Sequence, residues 1–278
     1  MKRILTIQDI SCVGKCSITV ALPIISAMGV ETVVLPTAVL SAHTMFPDFT
    51  CRSLEDQMPP ITAHWKKENI TFDAIYTGYL ANEHQIDLAA DIFSDFGNES
   101  TRIIVDPVMA DHGRFYAGFD LAFAEKMTGL CAKADIILPN ITEAALMTGM
   151  EYRTSYDEAY IQELLKRLSD FDAEISILTG VSLAQGSIGA MGYNRTTNDF
   201  YYYTTEKLPD SYHGTGDIFA STLVGALMNG LSWQDSIPIA ADYTAECIRC
   251  TREEEKPRWY GVNFEQAIPF LLKKLGKV

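Results

Sequence analysis

The sequence predicts an α/β protein: a doubly wound, mainly parallel sheet flanked by helices, with an antiparallel hairpin at one edge. Three observations carry that expectation. Short apolar runs alternate with helical stretches from the first residues to about residue 178. Those runs are almost continuously hydrophobic, as strands covered on both faces must be. Near Ile188 the pattern changes to two strand-like runs around a polar turn, the signature of a hairpin.

The elements follow in order. Arg3–Ile7, Thr32–Pro36, Ala74–Thr77, Ile103–Asp106, Ile136–Leu138 and Ile175–Leu178 read as buried strands. Ile18–Met28, Leu54–Glu68, Gln85–Phe96, Leu121–Cys131 and Glu158–Ser169 read as the helices between them. Such alternation, with right-handed crossovers, gives an open wound sheet. Ile188–Tyr193 and Phe200–Thr205 flank the polar stretch Asn194–Asp199 and form the predicted edge hairpin. Beyond Asp217 the chain is helical over Ile218–Asn229, Trp233–Arg252 and Phe264–Leu275. No linker, repeat or low-complexity stretch divides the 278 residues, so one domain spanning 1–278 is expected.

Composition narrows the function classes. The chain is 47% hydrophobic and 21% charged, ordinary for a globular protein. Its formal net charge of −14 repels nucleic acid and anionic lipid, so neither is an expected partner. Any phosphate site must then be positive locally, through backbone N–H groups or a metal. No run approaches the ~18 apolar residues of a membrane span. The first residues enter a strand with no signal- or transit-peptide pattern, and a cytoplasmic location is the expectation. The six cysteines read as reduced thiols, because Cys247-x-x-Cys250 has no second pair or nearby histidine to build a zinc site.

Open α/β sheets bind ligands beyond the carboxyl ends of their strands. The strongest feature there is Gly214-Thr215-Gly216-Asp217 at the head of an apolar helix. The glycines permit a tight turn, and the first helical N–H groups make an anion hole suited to phosphate oxygens. An aspartate at that mouth opposes anion binding unless it accepts the proton of an attacking hydroxyl; as plain structure it would be a helix cap. Asp106 ends a strand before Pro107, where it could orient phosphates or a metal, or simply form a turn. Asn140-Ile141-Thr142-Glu143 opens a helix, where Glu143 could serve Mg²⁺ through water or complement the helix dipole. Ser41-Ala42-His43-Thr44 could hydrogen-bond a small polar ligand, although a lone histidine is more often structural. Gly14-Lys15-Cys16-Ser17 looks like the end of a P-loop, but Asp9 stands at the first glycine position and Cys16 at the hydroxyl position, so a P-loop is rejected. No Gly-x-Gly-x-x-Gly follows the first strand, which argues against a dinucleotide-binding dehydrogenase.

Taken in order, Thr6-Ile7-Gln8, Leu40-Ser41-Ala42-His43-Thr44, Thr77-Gly78-Tyr79, Asp106-Pro107-Val108, Asn140-x-x-Glu143 and Gly214-Thr215-Gly216-Asp217 resemble the ribokinase-like superfamily, and within it the pyridoxal kinase branch. The likeness covers almost the whole chain. It implies ATP-dependent phosphorylation of the 5′-hydroxymethyl group of a B6 vitamer, namely pyridoxal, pyridoxine or pyridoxamine. It casts Asp217 as the base and the N–H groups of Gly214, Thr215 and Gly216 as the anion hole. Asp106 and Glu143 would organise Mg²⁺, with Asn140, Thr179 and His213 at the nucleotide. His43 and Tyr79 would embrace the pyridine ring, with Ser41 and Thr44 beside them, and Met109–Tyr116 would form a flap over the phosphates. Such kinases commonly form homodimers, and many are helped by K⁺.

Two positions depart from the pattern. Asp9 stands where pyridoxal kinases commonly have serine, and could contact a pyridine nitrogen or ligand amine. Leu138 stands where some members carry a threonine implicated in the monovalent-cation site. Two rival expectations remain. One is a hydroxymethylpyrimidine kinase of thiamine synthesis, of which His213 is reminiscent. The other is a catalytically silent vitamer-binding protein.

Overall fold

The computed structural model describes residues 1–210 and 212–278. The chain starts with β1 (Arg3–Ser11), α1 (Ile18–Ala27), β2 (Glu31–Leu40) and a short β3 (Cys51–Ser53). Next come α2 (Met58–Lys67), β4 (Ala74–Thr77), α3 (Glu83–Phe96) and β5 (Arg102–Val105). A small hairpin, β6 (Ala110–Asp111) and β7 (Arg114–Phe115), precedes α4 (Leu121–Cys131), β8 (Ile136–Ile137), α5 (Ile141–Thr148) and α6 (Glu158–Leu168). The last part holds β9 (Ile175–Val181), β10 (Ser187–Asn194), β11 (Asp199–Glu206), α7 (Thr215–Met228), α8 (Trp233–Arg252) and α9 (Phe264–Lys274).

Nine strands form the main sheet in the order β11-β10-β9-β8-β5-β4-β1-β2-β3. The six strands from β9 to β2 are mutually parallel. Both edges are antiparallel: the expected β10–β11 hairpin on one side and β3 on the other. β3 was not visible in the sequence, because three residues are too few to show an alternation.

Alternate residues of the parallel strands enter two cores, which is why the strands are apolar throughout. Leu5, Ile7, Ile75, Val105 and Ile137 pack under the layer of α2 to α6. Ile4, Ala74, Tyr76, Ile104 and Ile136 pack under α1, α7 and α8. α7 starts at Thr215 rather than at the predicted Ile218, and α2 at Met58 rather than Leu54. Asp217 therefore lies inside the first helical turn instead of ahead of it.

The chain leaves β1 toward β2 and later returns to β4 on the other side of β1. The crevice between β1 and β4 is thus the switch point at which doubly wound sheets accept ligands. The β1–β2 register shifts between Gln8 and Ile10, so Asp9 on β1 stands opposite two residues of β2, Thr37 and Ala38. Such a bulge bends β2 beside Asp9.

Candidate active site

The turn into α7 is sterically committed to glycine. Gly214 is the N-cap residue, with φ of 81°, and a Cβ there would sit 1.8 Å from the Lys15 carbonyl oxygen. That close approach docks α7 onto the loop after β1. The first intrahelical bond runs from the Ile218 N–H to the Gly214 carbonyl. The N–H groups of Thr215, Gly216 and Asp217 therefore lack intrahelical partners, and the positive end of the dipole faces the crevice. Gly216 is exposed, with open space around its missing Cβ.

Asp217 lies half-buried in that turn. Burial, and then the negative charge of Asp9, pushes its carboxyl up to about 7. Asp9 is only 3% exposed and its Oδ2 accepts a hydrogen bond of 2.9 Å from Ser11 Oγ. Burial raises the Asp9 carboxyl as well, against the lowering effect of the Ser17 and Ser11 hydroxyls. Ser17, which the sequence offered only as the end of the rejected P-loop look-alike, joins them. It is the N-cap of α1 with φ of 50° and ψ of −133°, a strained combination for an L-residue. It lies between the two acids, its hydroxyl at Asp9 and its backbone at Asp217.

Asp106 follows β5 and is half-buried. Burial raises its carboxyl well above the usual range, and the nearby Glu143 and Asp217 raise it further. Glu143 is 2% exposed and holds the β6–β7 hairpin: Oε1 accepts from the N–H groups of Met109 at 3.0 Å and Ala110 at 3.4 Å. Its Oε2 accepts from the Asn140 N–H at 2.8 Å, while Asn140 Oδ1 accepts from the Glu143 N–H at 3.0 Å. This reciprocal pair is a capping box. Asn140 Nδ2 donates to the Ala110 carbonyl at 2.7 Å, so its carboxamide is engaged inside the protein. Thr179, half-buried on β9, bridges to Asn140 beside this corner.

A second cluster is aromatic. His43 is 1% exposed and both ring nitrogens are paired: Nδ1 accepts from the Met45 N–H at 3.2 Å, and Nε2 lies 3.1 Å from the Tyr260 carbonyl. That pattern requires the neutral ring with its proton on Nε2, and burial lowers its pKa accordingly. His43 packs at a tilt against His213, 4.3 Å between ring centroids, and against Phe46, 4.9 Å. Burial, then His43, depresses His213 to about 4. Trp259, 54% exposed, leans on Phe46 at 4.5 Å. Tyr79 is half-buried and packs against Phe119 at 5.6 Å. Ser41 and Thr44 are exposed, and Ser41 Oγ accepts from the Thr50 N–H at 2.9 Å, closing the loop between β2 and β3.

The sequence-predicted residues thus fall into four groups, with Tyr79 apart from them against Phe119. Asp9, Asp217 and the Gly214–Gly216 turn meet at the crevice, and Asp106, Asn140, Glu143 and Thr179 meet beside it. His43 and His213 form an inner wall, while Ser41 and Thr44 stay on an outer loop. Sequence reasoning missed Phe46, Trp259 and Tyr260, and met Ser17 only inside the rejected P-loop look-alike. A cluster of aromatics at 259–260 in a loop was the available signal for two of them. The P-loop look-alike is excluded by geometry: Lys15 Nζ binds Glu265 Oε2 at 2.7 Å and Asn263 Oδ1 at 3.2 Å, fastening the first loop to α9.

Among the described residues, no Lys or Arg forms an ion pair with Asp9, Asp106, Glu143 or Asp217. Nor do three or more His, Cys, Asp or Glu side chains there converge into a metal-holding set. Uncompensated oxygen donors beside an anion hole fit a hard divalent cation shared with phosphates and water rather than a protein-only cage.

A doubly wound sheet, a glycine-lined helix N-terminus and a carboxylate within its first turn define the ribokinase-like class. A family model described as phosphomethylpyrimidine kinase matches residues 9–259, and the chain belongs to that family. Among solved structures, a "putative phosphomethylpyrimidine kinase" of Bacteroides thetaiotaomicron is 38% identical. Its rhombohedral form superposes with a TM-score of 0.94 over 97% of this chain and 93% of that one. An orthorhombic form of it, with pyridoxal, gives 0.93 over 97% and 95%. Pyridoxal kinase from Lactobacillus plantarum is 28% identical, with a TM-score of 0.89 over 98% of this chain and 97% of that one. Among curated proteins, pyridoxal kinase of Dictyostelium discoideum is 24% identical over 80% of this chain and 77% of its own. A Caenorhabditis elegans relative is 28% identical over 71% of this chain, a match spanning 60% of that protein's length.

Proposed function

We propose that this chain transfers the γ-phosphoryl group of ATP to the 5′-hydroxymethyl oxygen of a B6 vitamer, acting as one catalytic unit over residues 1–278. The observation that carries the reading is Asp217, with its carboxyl near 7, in the first turn of a helix whose free N–H groups face the same crevice. Asp217 takes the hydroxyl proton as the acceptor oxygen bonds to the γ-phosphorus and the bond to the ADP oxygen breaks. The N–H groups of Thr215, Gly216 and Asp217 receive the negative charge of the transferring group. The similarity to a pyridoxal-bound structure at 38% identity supports the choice of acceptor.

Mg²⁺, when bound, would supply charge neutralisation at the phosphates. Asp106, whose carboxylate has no hydrogen-bond donor among the described residues, would hold it with water, and Glu143 would act by fixing the hairpin over the site. Thr179 would sit at the nucleotide, while Asp9, Tyr79 and the His43–His213 wall would shape the acceptor side. Leu138, which is 2% exposed in the apolar layer under α7, offers no side-chain oxygen to K⁺. We infer a homodimer and a cytoplasmic location from the kinase class. Among the described residues no helix is long and apolar enough to cross a membrane.

The second reading, phosphorylation of a hydroxymethylpyrimidine, is favoured by the family model itself. Release of ADP, measured with pyridoxal, pyridoxine, pyridoxamine and hydroxymethylpyrimidine in parallel, separates the two. Turnover highest on a B6 vitamer is the expected result. Preference for the pyrimidine would support the second reading, and activity with none would leave a binding protein.

A further inference from the structure

The P-loop look-alike after β1 takes no part in the proposed transfer, yet it adjoins the aromatic cluster, the anion hole and both crevice acids. The Val13 carbonyl, just ahead of it, accepts from the His43 N–H at 3.0 Å. The Lys15 carbonyl packs on Gly214 at the head of α7. Ser17 lies between Asp9 and Asp217. Thr19 Oγ1, in the first turn of α1, donates to the Cys16 carbonyl at 2.8 Å and closes the loop.

Lys15 also reaches the last helix. It is buried, and Gly261, with φ of 154°, packs on its stem so closely that a Cβ there would lie 2.6 Å from the Lys15 Cβ. The ammonium passes 5.4 Å from the centroid of the Phe264 ring and ends at Asn263 Oδ1 and Glu265 Oε2. Asn263 is 3% exposed, and its N–H donates to Thr251 Oγ1 on α8 at 2.8 Å. Losing these partners would strand a charge away from water, so the arrangement is tightly specified. What it fastens is the loop between α8 and α9, which carries Trp259 and Tyr260. The Tyr260 carbonyl receives the His43 Nε2 proton, and Trp259 leans on Phe46. One residue thus holds the head of α7 with its carbonyl and the backing of the His43 wall with its side chain.

We propose that Lys15 is a positioning residue that clamps the head of α7 and the α8–α9 loop together, and so holds the acceptor wall at a fixed separation from Asp217. It touches no substrate and acts through Gly214 and the Tyr260–His43 pair. Its effect on transfer rests on the proposed kinase reading; the clamp itself does not.

Steady-state kinetics and amide exchange test it in Lys15→Met and Glu265→Ala. Lys15→Met keeps the apolar stem over Phe264 and the backbone carbonyl, and removes only the charged end. Glu265 has a side chain 54% exposed, so its loss loosens the same clamp with little risk to folding. For Lys15→Met the clamp predicts kcat on a B6 vitamer falling roughly tenfold and acceptor KM rising, with KM for ATP within about twofold of wild type. Slow hydrolysis of ATP by water, measured without acceptor, should persist, because the anion hole and Asp217 are intact. Glu265→Ala should move the same quantities in the same direction by less. Exchange should accelerate at the Asn263, Phe264, Met45 and Phe46 amides while β4 and β5 keep their protection. A folded Lys15→Met with wild-type kinetics, or with KM for ATP rising as much as that for the acceptor, would overturn the positioning role. Exchange unchanged at those four amides, or faster throughout the chain, would overturn the clamp. If Lys15→Met does not fold, Glu265→Ala decides by the same measures. If the wild type phosphorylates no acceptor, the kinase reading fails, and the exchange pattern still decides the clamp.

Discussion

Asp217 is asked both to sit beside an anion hole and to hold a negative charge, and its environment reconciles the two. Near 7 it is protonated about half the time at neutral pH, so in the proposed mechanism it would admit phosphate yet still take a proton. The apparent kcat/KM should therefore rise with pH through about 7. Asp9 is one cause of that elevation, after burial. Asp9→Asn removes the neighbouring charge, so the acid limb of the pH profile should move to lower pH; an unmoved limb would disconnect the two acids. Gly214 and Gly216 give a contrast at the same scale. Gly214→Ala combines a φ of 81° with a Cβ against the Lys15 carbonyl, so α7 must shift. It should lose more than about 1 kcal/mol of stability together with activity. Gly216→Ala meets nothing, so its Tm should stay near wild type while KM for ATP rises. Urea melts and initial-rate kinetics read both.

At the scale of elements, the β6–β7 hairpin is a flap held at its root by α5. Glu143 binds its Met109 and Ala110 N–H groups, Asn140 takes the Ala110 carbonyl, and Thr142 Oγ1 accepts from the Gly113 N–H at 3.0 Å. Glu143→Ala leaves buried donors unpaired and should cost about 1–3 kcal/mol. Amide exchange should accelerate at Met109 and Ala110 before it does in β4 or β5; uniform exchange would remove the flap from the account. The same region shows what a sequence can carry. The parallel strands were legible because burial on both faces leaves continuous apolar runs, and α5 because Asn140 and Glu143 spell a capping box. β3 and the flap strands were not, since two or three residues show no period. Glu143 was visible as an acid at the right rim. Its partners in the hairpin, the Met109 and Ala110 N–H groups, lie more than 30 residues away, and only the fold brings them together. The strain at Ser17 was hidden because it is a backbone property, and His43 was named but its pairing was not legible, because it depends on Met45 and Tyr260.

For the molecule as a whole, the raised acids at the site set the sign of its pH dependence. A carboxyl whose folded pKa is raised binds more protons folded than unfolded between its two pKa values, so stability falls as pH rises through that interval. For Asp217 the interval runs from 3.8 to about 7, and Asp9, Asp106 and Glu143 contribute in the same direction. Asp217→Asn should therefore raise Tm at pH 8 relative to wild type, with the gain shrinking toward pH 4. Mg²⁺ with a non-hydrolysable ATP analogue should also raise Tm, by neutralising the same charges and binding only the folded state. The chain carries a formal net charge of −14, so on the proposed reading phosphate recognition would fall to the backbone N–H groups at the head of α7 together with Mg²⁺. The central claim is that one carboxylate at the head of α7 performs the chemistry. Its most direct test is single-turnover phosphorylation of pyridoxal by wild type and Asp217→Asn at saturating Mg²⁺ and ATP, with pyridoxal binding measured alongside. The account predicts phosphoryl transfer slowed by roughly 10²–10⁴ with pyridoxal affinity nearly unchanged. Transfer at close to the wild-type rate in Asp217→Asn would contradict it.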